Sequence, residues 1–183
     1  MKAMIIALVI LAVVGITGVS LYNKLVKLKM AVQEGLAQID VQLQRRADLI
    51  PNLVETVKGY ASHEREALES VISARAASLG ASTVGEKAAA DGALTGALRG
   101  LLAVAEAYPD LKASANFISL QEELAATENK ISFSRQRYND QVRALNTAIE
   151  TVPTRFLTGV AKAARAEYYE IDEEARRTPR VEF

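Results

Sequence analysis

Cysteine is absent from the 183 residues, which excludes disulfides, thiolate metal sites, iron–sulfur clusters, a thiol nucleophile and a lipidated cysteine. Tryptophan is absent too, and aromatic residues make up only 5% of the chain. Sheet proteins draw on aromatic and β-branched side chains, whereas this alanine- and leucine-rich chain suits helix-on-helix packing. No sign of charge dominates, since 22 Lys+Arg balance 22 Asp+Glu. Without a net positive field there is little counterion release to gain, so nucleic acid is not an expected partner. What the chain does have is 50% hydrophobic and 24% charged residues, a balance that excludes disordered and low-complexity classes. The expectation is an all-α protein with one domain and at most one additional element.

That element is a membrane span. Residues 3–23 read AMIIALVILAVVGITGVSLYN, without one charged side chain. At ~1.5 Å per residue, these 21 positions reach about 30 Å, the thickness of a bilayer core. A cleaved secretory signal has a shorter apolar region of ~7–15 residues and ends in an A-x-A-like site; neither feature is present, so the segment is expected to stay and to span. Lys2 stands alone before it, while Lys24, Lys27 and Lys29 follow before the first acid, Glu34. Basic residues flank spans on the cytoplasmic side, so the bulk of the chain should face the cytoplasm with the amino terminus outside. Tyr22, Lys24, Lys27 and Lys29 are the expected membrane-interface residues.

Beyond the span, Leu25, Leu28, Val32, Leu36, Ile39 and Leu43 recur at steps of three and four, the stripe of an amphipathic helix. Pro51 predicts a turn at about 46–51, because it has no N–H to donate and restricts Ile50. Against that, the apolar phase continues through Ala47, Ile50, Val54, Val57 and Ala61, as one long kinked helix would also produce. The stretch LGASTVGEK is a loop, and Thr83 with Glu86 three residues on forms a capping box that starts a helix near Val84, running to Tyr108 before Pro109. Within it Gly92, Gly96 and Gly100 fall four apart, a strip where another helix backbone is expected to come close. The longest helix after the anchor is expected over 114–151, with Phe117, Leu124, Ile131, Tyr138, Val142 and Leu145 on its stripe. A short helical piece at 156–166 and a solvated tail at 167–183 follow. The domain reading is therefore a span at 1–23, an antiparallel bundle of three or four long helices at 24–166, and the tail.

Two long runs carry a resemblance: IDVQLQRRADLIPNLVETVKGYASHE at 39–64 and YPDLKASANFISLQEELAATENKISFSRQRYND at 108–140. Together with the amino-terminal span and the ending PRVEF, they resemble the LemA family of bacterial membrane-anchored proteins. The resemblance implies a single span, a short non-cytoplasmic amino terminus and a soluble antiparallel helical bundle at the bacterial inner membrane. It implies no established enzymatic activity and supplies no cofactor.

Motif tests point the same way. His63 is the sole histidine, and Ala67 stands where a zincin helix needs its second. Tyr60 occupies the place of the glutamate in a di-iron Glu-x-x-His pair. The loop at 80–87 is not a phosphate-binding motif, and no G-x-S-x-G exists. No catalytic or metal residue is assigned, and the expected activity is none. The polar segment Asp40, Arg45, Arg46, Asp48, Asn52 and Glu55 is the candidate docking surface, with Arg45 or Arg46 able to fork onto Asp48 or onto a carboxylate of a neighbouring helix. A solvated helix face is the plainer reading of the same residues. The functional expectation is a non-enzymatic, membrane-anchored scaffold that self-associates or organises other membrane proteins. The alternative is an adaptor or sensor with a groove between helices for a peptide, lipid or partner.

Overall fold

The computed structural model describes residues 1–170, which are helical or connecting and contain no strand. Helix α1 spans Lys2–Tyr60, α2 Arg65–Gly80, α3 Val84–Ala105, α4 Pro109–Lys112 and α5 Ala115–Glu150, followed by a 3₁₀ turn at Thr154–Leu157. The all-α reading holds. Residues 171–183 of the expected tail lie outside the described residues.

The turn expected at 46–51 does not form: α1 continues through Pro51. Pro51 cannot donate to the carbonyl of Ala47 one turn back, which should leave that oxygen bare. Arg75 of α2 supplies the missing donor, its Nε–H reaching the Ala47 carbonyl at 2.7 Å. The lost ladder bond is thus replaced from a neighbouring helix. The apolar phase then carries on, with Ile50, Leu53 and Val57 all buried.

The start of α3 follows the sequence closely. The Thr83 hydroxyl accepts from the backbone N–H of Glu86, and the Glu86 carboxylate accepts from the N–H groups of Ser82 and Thr83. Those backbone donors favour the ionised form and lower the Glu86 pKa to about 2. The far end of α3 is shorter than expected. Its last turn tightens into bonds between residues three apart, and Tyr108 becomes the residue preceding α4, with Pro109 in its first turn.

By contacts the chain forms two units. One comprises Met1–Ala37 and Gln136–Glu167; the other comprises Gln38–Arg135 and the segment from Tyr168. In the first, Leu25 packs with Ala148 and Ala161, while Gly35 lies against Tyr138, so α1 and α5 run antiparallel there. In the second, α1, α2, α3 and the first half of α5 enclose a core that includes Leu53, Val57, Val71, Leu94, Leu101 and Leu124. Among the described residues, two helices are long and apolar enough to cross a membrane, α1 and α3. They differ in burial: the apolar window of α1 is wholly uncovered, whereas Leu94, Leu98 and Leu101 of α3 belong to the bundle core.

Candidate functional site

The second unit holds a charge cluster inside its core. Arg46 follows the buried stripe of α1 between Leu43 and Ala47 and is only 1% exposed. Its Nη2 pairs with the carboxylate of Asp91 on α3, a residue with no exposure at all. Its Nη1 donates to Glu128 Oε2 on α5 at 2.6 Å and to Thr95 Oγ1 at 3.0 Å. Arg135, two turns along α5 from Glu128, donates to Glu128 Oε1 at 3.0 Å and brings its Nε within 3.6 Å of Asp91 Oδ2. The Tyr169 hydroxyl donates to Asp91 Oδ2 at 3.1 Å. Burial and the neighbouring Asp91 carboxylate push the Tyr169 phenol far up, so it stays protonated and serves as a donor.

Two arginines thus face two carboxylates, and the formal charge of the cluster is zero. Taking such groups out of water costs several kcal/mol per ion, which is recovered only when each partner is in place. The geometry meets that demand at the carboxylates, each of which accepts from more than one donor. Arg46 Nε and Arg135 Nε are buried without a hydrogen-bond partner. Glu128 opens onto a cleft of about 280 Å³ between α3 and α5. Leu98, Leu102 and Leu124 line its apolar part, while Arg46, Thr95, Arg99 and Gln121 add polar groups. Such a mix suits a small ligand with an apolar body and a polar head. Among the described residues, no three His, Asp or Glu side chains come together in a way that could hold a metal ion.

The six residues of the candidate docking segment do not share one face. Arg46 turns inward, and of the two readings for it the structure takes the fork onto carboxylates of neighbouring helices. Asp40 is half-buried and receives Lys87 of α3 at 2.7 and 2.8 Å. Arg45, Asp48, Asn52 and Glu55 are exposed, with Asp48 accepting from Gln44 one turn before it at 2.8 Å. Around the end of the uncharged run of α1, Tyr22, Lys24 and Lys27 are exposed and Lys29 is half-buried.

The glycine strip is corrected in part. A Cβ added at Gly96 or Gly100 would meet nothing within 4 Å, so no helix approaches there; both face away from the buried Leu94, Leu98 and Leu101. Gly92 is half-buried. The close approach is instead at Gly35, where a Cβ would run into the Gln141 side chain and lie 3.4 Å from the Tyr138 Cα. Beside it, the Tyr138 hydroxyl donates to the Glu167 carbonyl at 2.8 Å, and burial raises its pKa. Asn146 clasps the backbone of Ala166 twice, at 2.9 and 3.0 Å. The stretch after Ala163 therefore lies against helices, and Tyr169, in the segment read as solvated tail, is buried.

Asp91, Glu128, Arg135 and Tyr169 were not among the candidates from sequence. A signal existed for Asp91, which sits in register with Ala88, Leu94 and Leu98 on the apolar face of α3. A carboxylate in that place calls for a buried cation.

A model of the LemA family matches residues 35–183 of the chain. That stretch includes the whole charge cluster. Among curated proteins the chain is similar to magnetosome protein MamQ of Magnetospirillum gryphiswaldense, at 25% identity over 81% of this chain. It is likewise similar to magnetosome proteins MamQ 1 and MamQ 2 of Paramagnetospirillum magneticum, at 26% identity over the same share. In each case the match spans 64% of the relative's own length.

Proposed function

The chain belongs to the LemA family, and from that premise we propose a non-enzymatic, membrane-anchored helical scaffold that associates with itself or with other membrane proteins. The observation that carries the reading is the two-part character of α1, whose first 22 residues include none that is buried while its later turns build the bundle. Membrane association follows from the family and the apolar helix together. The bacterial inner membrane, an outside amino terminus and a cytoplasmic bundle are part of the proposal, supported by Lys24, Lys27 and Lys29 after the apolar run. Self-association is supported by large apolar side chains left at the bundle surface, among them Val41 on α1 and Phe133 on α5. Anchoring confines such modules to two dimensions and raises their effective concentration, so that modest contacts suffice for assembly. The relatives are named as magnetosome proteins, and carrying a magnetosome role over to this chain is analogy.

Light scattering on the purified full chain, paired with crosslinking in membranes, tests the scaffold. Concentration-dependent oligomers and crosslinked species are expected; a strict monomer in both measurements removes self-assembly. The cleft beside Glu128 favours a second reading, an adaptor that takes a partner group between α3 and α5. Crosslinking from a photoreactive side chain at Gln121 distinguishes the two, because a scaffold without a groove ligand yields no adduct there.

A further inference from the structure

We infer that residues 152–162 form a second membrane contact, an interfacial foot that sits in the headgroup layer beside the anchor; this rests on reading residues 3–23 as a membrane span. Three large apolar side chains are left almost bare in this short stretch: Val152 is 69% exposed, Phe156 76% and Val160 71%. They recur at steps of four. The adjacent pair Leu157 and Ala161, also four apart, turns the other way and packs with Leu25 of α1. One side of the coiled segment is therefore held by protein, and the other is apolar with no protein over it.

The location identifies the occupant. Leu25 lies two residues beyond the uncharged run, about 3 Å along the helix axis, and its packing neighbour Leu28 about 7.5 Å. Those distances fall within the headgroup layer, where amphipathic segments bury their apolar face to a depth of roughly 5–10 Å. The charge pattern agrees. Residues 151–164 carry Arg155 and Lys162 and no acid, Arg165 beyond them pairs with Glu150 at 3.0 Å, and Lys24, Lys27 and Lys29 follow the uncharged run on α1. Cations flanking bare apolar side chains suit a surface of anionic lipid. Turn geometry holds the segment in place: Lys162 adopts a left-handed backbone, φ 49°, and the Ala163 N–H closes back onto the Thr158 carbonyl at 3.0 Å.

The absence of native cysteine makes the test clean. Phe156→Cys, Val14→Cys and Phe133→Cys variants of the full chain are each labelled with an environment-sensitive fluorophore. They are then reconstituted in phosphatidylcholine–phosphatidylglycerol vesicles containing lipids with quenchers placed either near the headgroup or deep in the acyl chain. The label at 156 is expected to be quenched about twofold more by the shallow quencher than by the deep one, as an interfacial depth requires. The label at 14 should answer to the deep quencher, and the label at 133 to neither. Quenching at 14 without quenching at 156 overturns the foot and leaves the anchor standing. No quenching at either position overturns the anchor and the foot with it. Self-quenching at 156 that rises with the labelled fraction, in place of lipid quenching, assigns the patch to a second copy of the chain and also overturns the inference.

Discussion

Helix α1 contains two stretches with one backbone geometry and opposite surroundings. Over residues 3–23 it is uncharged on every side, and Ile6, Leu11 and Val14 touch no protein core. Over residues 38–60 it is amphipathic, with Ile39, Ile50, Leu53 and Val57 buried and Arg45, Asp48 and Glu55 outside. The difference teaches that the angular spread of apolar residues, more than their number, tells which medium covers a helix. An apolar surface all round needs lipid, whereas a stripe needs another stripe. It also explains where a charge can be buried. Arg46 enters the core only because α3 and α5 both bring carboxylates to it. No such convergence exists around the first stretch.

The largest expected effect breaks the second stretch and spares the first. Asp91→Ala leaves Arg46 Nη2 and the Tyr169 hydroxyl without their shared carboxylate. Removing one partner of a buried pair costs roughly 3–5 kcal/mol, and the value here should fall near 3 because Glu128 still holds Nη1. For a chain of this size that lowers the Tm by roughly 6–12 °C, read by circular dichroism of the detergent-solubilised protein. The helical signal of the anchor should survive the transition. The double variant Arg46→Met with Asp91→Leu should recover part of the loss, since apolar side chains of similar volume replace the buried pair at little cost while Arg135 still holds Glu128 and the Tyr169 hydroxyl still lacks the Asp91 carboxylate. A single variant as stable as the parent contradicts the buried cluster.

Glycine offers a sharper version of the same contrast. A leucine at Gly35 must displace Gln141 and crowd the Tyr138 backbone, and overpacking of that kind costs roughly 1–3 kcal/mol. A Cβ at Gly15 meets nothing within 4 Å, and Gly15→Leu should shift the same melting curve by less than about 0.5 kcal/mol. Equal losses at the two positions would mean that protein covers the first stretch as well.

How far the sequence could be read follows from where each cause lies. The Thr83–Glu86 cap, the stripes of α1 and α5 and the uncovered apolar run of α1 are local patterns, and each stands where its residues placed it. The missed features all depend on partners distant in sequence. The charge cluster joins residues from 46 to 169, and only Asp91 on its apolar face hinted at it. Gly35 carries no spacing signal, whereas the regular strip at 92, 96 and 100 does; spacing shows which side glycines share and not what lies opposite. Residues 163–166 read as the end of a short helical piece and 167–170 as polar tail until Asn146, Asp91 and Tyr138 are seen beside them.

Pro51 is the case in which a correct local rule gives the wrong element. A proline removes one donor, and the rule that it ends or kinks a helix assumes that the carbonyl one turn back stays bare. Arg75 reaches that carbonyl, on Ala47, from α2, so the second stretch of α1 can carry a proline that would break it in isolation. A double-mutant cycle measures this dependence. Arg75→Met keeps most of the side-chain volume but orphans the Ala47 oxygen, at a cost of about 1–3 kcal/mol. Pro51→Ala restores the backbone N–H and gives the oxygen a ladder partner of its own. In that background Arg75→Met should cost about 1 kcal/mol less than in the parent, a coupling within the range expected for groups in direct contact. Additive effects in denaturant titrations would show that Arg75 does not stand in for the missing N–H, and the unbroken path of α1 through Pro51 would then need another cause.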